Sequence, residues 1–130
     1  MATDPDRTLE ALLAIDAWAR THGEQRTGEL RPGDANVTEP DLAEIVLDAR
    51  CRAAELSLAL GRPDDAAALA ERALAVRPVD ERALRAVVLA MTANGEMAAA
   101  RIAYDHALAV IAEAGRAPQA ATRTAGRRIR

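Results

Sequence analysis

Phenylalanine and lysine are missing from this chain, and cysteine, serine, tryptophan and tyrosine occur once each among its 130 residues. Each shortage closes a route. Cys51 stands alone, so no intramolecular disulfide can staple the fold. Ser57 is the only serine and does not sit in a Gly-x-Ser-x-Gly turn. Without lysine there is no phosphate loop of the Gly-rich, Lys-Ser/Thr kind. The two histidines, His22 and His106, lie far apart and have no Cys or His partner at ligand spacing, so no metal and no cofactor is expected. Aromatic residues make up 2% of the chain. That leaves basic segments without rings for base stacking, and it argues against a strand-rich fold, which favours aromatic and β-branched residues. No apolar run approaches the ~18–20 residues that span a bilayer. The N-terminal Asp4-Pro5-Asp6 is unlike a secretory signal, so a cytoplasmic location without a membrane partner is expected.

What is present is alanine, which dominates an apolar half of the composition. Alanine has the highest helix propensity and the smallest side chain that still favours a helix. The composition therefore predicts helices whose backbones approach closely. All seventeen basic residues are arginine, and they are unevenly placed. Residues 1–113 carry 12 Arg against 20 acidic residues, a net −8, while residues 114–130 carry five Arg and no acid. The body is acidic and the tail basic.

Glycine and proline mark the boundaries. Asp4 and Pro5 open a first helix that reaches to about residue 22, with Leu9, Leu12, Leu13, Ile15 and Trp18 as its apolar positions. Residues 23–38 read as a loop, broken by Gly23, Gly28, Pro32, Gly33 and Asn36. A loop of that length in a small domain points to mobility or function. A second helix begins around Thr38-Glu39-Pro40-Asp41 and stops at Gly61. Pro63 opens a third, closed near Val76-Arg77-Pro78. A fourth carries Leu84, Val87, Val88 and Met91 up to Asn94-Gly95. A fifth carries Ala100, Tyr104, Ala107, Leu108 and Ile111 up to Gly115, and a short sixth follows Pro118. The expectation is one all-α domain over 1–130 with six helices and no sheet. It divides into an N-terminal helix (1–22), the loop (23–38), two helix hairpins (39–114) and a basic C-terminal helix or tail (115–130).

An internal repeat supports the hairpins. Ala73-Leu74-Ala75-Val76 recurs as Ala107-Leu108-Ala109-Val110, at an offset of 34 residues. The same offset relates Gly61 to Gly95 and Ala66 to Ala100. A helix–turn–helix unit of about 34 residues is the tetratricopeptide period. Each Gly ends the first helix of a pair, where a left-handed residue is needed. Ala66, Ala73, Ala100 and Ala107 leave room for close helix contacts. Tyr104 takes the bulky position between Ala100 and Ala107, and Ala70 is its smaller counterpart.

From Asp41 to Arg130 the chain resembles the bacterial transcriptional activator domain, the tetratricopeptide-like domain of the Streptomyces antibiotic regulatory protein family. Arg77-Pro78-Val79-Asp80-Glu81, Gly95, Tyr104, Gly115-Arg116-Ala117-Pro118 and Thr122-Arg123 carry the likeness. Val88 stands where the family often has Met, and the stretch from Tyr104 to Gly115 is one residue short. A winged-helix DNA-binding domain usually precedes this domain in the family, and the roughly 40 residues ahead of the second helix hold none. The resemblance implies the protein-interaction half of a regulator, acting without catalysis on a protein partner or by self-association. It does not bring sequence-specific DNA binding with it.

On the tetratricopeptide plan the first helix of each hairpin lines a concave side. With Gly61 and Gly95 setting the register, that side should present Asp48, Cys51 and Glu55 from one helix, and Arg82, Arg85, Leu89 and Thr92 from the next. These seven are the candidate partner-binding residues. Two rivals stand beside this reading. Glu55 pairs with Arg82 or Arg85 as an ordinary surface ion pair worth ~0–1 kcal/mol, or the first helix around Trp18 fills the groove. The acidic pairs Asp64-Asp65 and Asp80-Glu81 fall at helix starts, where the helix dipole accounts for them. Arg123, Arg127, Arg128 and Arg130 are the residues a phosphate backbone would meet. Ala125 and Ile129 interrupt that run, which favours a solvated last helix lying against the acidic body. A nucleic-acid-associated regulator using this tail and a small-molecule-responsive helical protein remain the alternative functions.

Overall fold

The computed structural model describes residues 4–23 and 39–129. The loop expected over 23–38 lies, beyond Gly23, outside the described residues, as do Thr38 and Arg130. Among the described residues there are six α-helices and no strand: α1 (Pro5–Trp18), α2 (Glu39–Ala59), α3 (Pro63–Val76), α4 (Glu81–Ala93), α5 (Met97–Glu113) and α6 (Ala120–Arg127). A π turn over Ala19–Gly23 continues α1.

Local chemistry explains the boundaries. Asp4 caps α1, its carboxylate accepting from the Asp6 amide at 3.0 Å, and Pro5 fills the first helical position. Gly61, Gly95 and Gly115 all have φ near +75°. Each closes its helix with the same pair of bonds. The glycine amide reaches back three residues, as in Gly95 to the Thr92 carbonyl at 3.0 Å, and the next amide reaches back five, as in Glu96 to Met91 at 2.9 Å. This is the Schellman arrangement, which needs a left-handed residue that only glycine adopts cheaply. The repeat visible in the sequence is thus a repeat of helix ends.

Consecutive helices pack on one another from α1 to α5, and α2 also packs on α4, and α4 on α6. First helices α2, α4 and α6 therefore form one row, with α3 and α5 behind them, as in tetratricopeptide-like hairpins. α6 takes the place that a third first helix would occupy. Ala54, Val88 and Thr122, spaced by 34, are the matching inner positions of the three and all are buried.

The core is built largely of alanine. Ala53, Ala54, Ala66, Ala70, Ala73, Ala83, Ala100 and Ala107 are inaccessible to solvent, and Leu47, Leu69, Val88 and Ile111 fill the space between helices. Ala73→Leu or Ala107→Leu is expected to lower stability by about 1–3 kcal/mol through overpacking. An unchanged midpoint of urea unfolding would contradict the register.

The first helix departs from expectation. It packs chiefly on α2 and meets α3 through the Asp16–Arg72 pair, and its buried stripe is narrow: Leu9, Leu12, Asp16 and Ala19. Leu13 and Trp18 lie outside that stripe and are exposed. Trp18 stacks on His22, with ring centroids 5.6 Å apart. An acidic residue occupies the third position of the stripe instead.

Candidate interaction surface

The row formed by α2, α4 and α6 brings the seven candidate residues together in part. On α2, Asp48 accepts from Arg82 Nη1 at 2.8 Å and lies 3.7 Å from Arg52 Nη1. The hydrogen bond it donates to Asp48 is the main reason the Arg82 guanidinium is held above its ordinary pKa. Glu55 is exposed and has no hydrogen-bond or ion-pair partner among the described residues. The ion pair expected between Glu55 and Arg82 or Arg85 is replaced by Asp48–Arg82, because Asp48 sits seven residues, about two turns, before Glu55 on α2.

Cys51 is withdrawn from the surface, and its assignment to the partner-binding face is corrected. It is 1% exposed, turned toward α4, and its thiol meets the Asp80 carboxylate at 3.5 Å. Burial, reinforced by the Asp80 charge, pushes the thiol pKa up to about 12. A thiol held protonated is neither a nucleophile nor a metal ligand. Asp80 is the N-cap of α4, accepting from the Ala83 amide at 3.0 Å.

The α4 residues are divided between solvent and α6. Arg85 Nη1 donates to Gln119 Oε1 at 3.2 Å and to Thr122 Oγ1 at 3.3 Å. Glu81 Oε2 accepts from the Gln119 amide at 2.6 Å and from the Thr122 hydroxyl. Gln119 is the N-cap of α6 and its own side chain makes no capping bond. The Glu81 carboxylate therefore caps α6 from a different helix, at the end where negative charge is favourable. Leu89 is half-buried against the cluster of Val88, Ala100, Ala125 and Ile129. Thr92 is half-buried and donates to its own helix, at the Val88 carbonyl.

The C-terminal segment does lie against the body, but through Thr122, Ala125, Gly126 and Ile129, which are buried. Its arginines point outward. Arg123 donates to the Pro118 carbonyl at 3.0 Å, while Arg127 and Arg128 are exposed. α6, rather than α1 with Trp18, covers part of the face.

What remains open on α2 borders a cleft of about 440 Å³ lined by Pro5, Thr8, Arg52, Glu55 and Leu56. Sequence reasoning did not find this cleft, since Pro5 and Thr8 come from a helix distant in the chain. Its one sequence signal is the Glu55 and Arg52 pair on the outer face of α2. Among the described residues no three of His, Cys, Asp and Glu gather as a metal site, and no helix is long and apolar enough to cross a membrane.

A family model for the bacterial transcriptional activator domain matches residues 3–130. The match takes in α1, which lies ahead of the stretch whose residues carry the resemblance. No curated protein matches the chain, and no solved structure does.

Proposed function

The chain belongs to the bacterial transcriptional activator domain family, and we propose that it serves a transcriptional regulator as a non-catalytic protein-interaction module. The partner is held on the open part of the first-helix row, at Asp48, Arg52, Glu55 and Arg82. One observation carries this reading. Glu55 and Arg52 stand exposed beside a cleft that the apolar side chains of Leu56 and Pro5 also line, while the neighbouring charges on α4 are already engaged by α6. A surface with both charge signs beside apolar side chains suits a peptide segment better than a polyanion.

The test reverses the exposed pair. Arg52→Glu with Glu55→Arg exchanges the charges without touching the core. A photo-crosslinking residue at position 56 would capture the partner from extract of the source cells. The reversed chain should capture it at least about tenfold less, a difference of ~1.4 kcal/mol, with its melting temperature unchanged. The same partner captured in the same yield by both chains would remove this face from consideration.

A further inference from the structure

We propose that the cleft at the end of α1 is an oxyanion-binding site, in which Arg20 and Arg72 hold a phosphate or a carboxylate. This goes beyond the protein-binding reading and uses a different part of the molecule.

The argument starts from an imbalance of buried charge. Asp16 is 4% exposed at its side chain, and two guanidinium groups converge on it. Arg50 Nε donates at 2.8 Å, Arg72 Nε at 3.0 Å and Arg72 Nη2 at 2.8 Å. One carboxylate thus serves two cations, and the triad keeps a net positive charge. Arg50 is sealed in, with 5% of its side chain exposed, but Arg72 is 30% exposed. The excess charge therefore reaches solvent at Arg72.

Arg72 reaches solvent in a shallow, open cleft. The cavity is about 450 Å³ and is lined by Ala17, Arg20, Thr21 and Arg72. Asp16 grips Arg72 through two parallel bonds, which fixes the guanidinium plane and engages only two of its five N–H donors. The rest are available without further ordering of the side chain. Arg20 stands on the π turn that follows α1, four residues after Asp16, and makes no hydrogen bond or ion pair among the described residues. A π turn re-aims the side chains it carries, and such turns recur at functional sites. Thr21 is not a donor here, since its hydroxyl already donates to the Ala17 carbonyl at 3.0 Å. Recognition falls to the two guanidinium groups, whose planar donor arrays match the oxygen pairs of phosphate and carboxylate.

The experiment follows thermal unfolding of the full chain against inorganic phosphate and, separately, acetate, with chloride adjusted to hold ionic strength constant. Phosphate or acetate should raise the midpoint saturably, by about 3–5 °C at ten times its Kd. Arg20→Gln, which leaves the Asp16 triad intact, should abolish the rise. Arg127→Gln with Arg128→Gln on α6 should keep it. A rise with either anion that Arg20→Gln removes supports the site, and the anion that produces it identifies the ligand chemistry. Absence of a saturable rise in the parent chain, an equal rise in Arg20→Gln, or loss of the rise in the α6 variant would each overturn the proposal.

Discussion

Asp16→Asn should destabilise the fold by about 3–5 kcal/mol, the range for removing one partner of a buried ion pair. Asparagine keeps the shape but leaves Arg50 buried with no anion and Arg72 half held. Against a total stability of ~5–15 kcal/mol this is a large fraction. The loss should appear as a lower midpoint in urea, with an unchanged slope if the unfolded surface is the same. The triad is not irreplaceable. Asp16→Leu combined with Arg50→Met and Arg72→Leu should recover most of the loss, because a packed apolar trio carries no desolvation penalty. The pH arm has a definite sign. Burial alone would raise the Asp16 pKa, but the hydrogen bonds and charges of Arg72 and Arg50 outweigh it, and the carboxyl is held below its ordinary 3.8. A depressed pKa contributes stability that is complete above the unfolded value and is lost as pH falls through the folded one. The parent chain should therefore lose an increment of stability below about pH 4 that Asp16→Asn does not lose. Parallel stability curves for the two chains from pH 6 down to the acid limit would show that the triad does not act as described.

Asp16 also shows where the sequence stops being informative. The helices, their ends and the small-residue contacts were legible because each rests on local chemistry. Gly61, Gly95 and Gly115 mark left-handed turns, Pro5 and Pro63 open helices, and Ala66, Ala73, Ala100 and Ala107 recur at one offset. None of these needs knowledge of a neighbour. Asp16 could be flagged only as an acid four residues after Leu12 on an apolar stripe; its partners come from two other helices. Cys51 fits the outer face by spacing alone, and only the rotation of α2 against α4 turns it inward. Trp18 has the composition of a core residue, yet α1 packs chiefly on α2, and its ring is left outside. The extent of the first-helix row was also not legible. Spacing from Gly61 and Gly95 placed Arg85 and Leu89 on the row, but nothing in that spacing revealed that α6 extends it. The 34-residue offset does continue, from Val88 to Thr122 and from the C-cap Asn94 to the C-cap Arg128. The residue types change across it, because the third first helix is held by hydrogen bonds to Glu81 and from Arg85 as well as by the apolar contacts of Ala125 and Ile129.

That attachment has a single tight point, and Gly126→Ala should release it. Glycine in the second half of a short helix is costly by propensity alone, and alanine there would ordinarily add about 1 kcal/mol of stability. Here the sign should invert. Gly126 is buried against the ring of Tyr104, and a Cβ at that position would run into Cζ while lying 2.6 Å from Cε2 and 2.7 Å from Cε1. The ring sits on α5 among Val88, Ala100, Ala125 and Ile129, so it has little room to give way. Overpacking of this kind costs roughly 1–3 kcal/mol, more than the helix gains. The loss should be local. Amide protection over residues 122–129 should fall, while α2 and α3 keep theirs. With α6 lifted, Glu81 loses both of its donors and Arg85 both of its acceptors, so the row on α4 opens to solvent. Removing the ring tests the cause directly. In a Tyr104→Ala background the same Gly126→Ala change meets no obstacle, and alanine should then stabilise α6 by its propensity. The double-mutant cycle should show a coupling of roughly 1–3 kcal/mol between the two positions. If Gly126→Ala stabilises the parent chain, or costs the same whether or not Tyr104 is present, the ring does not set the seat of α6.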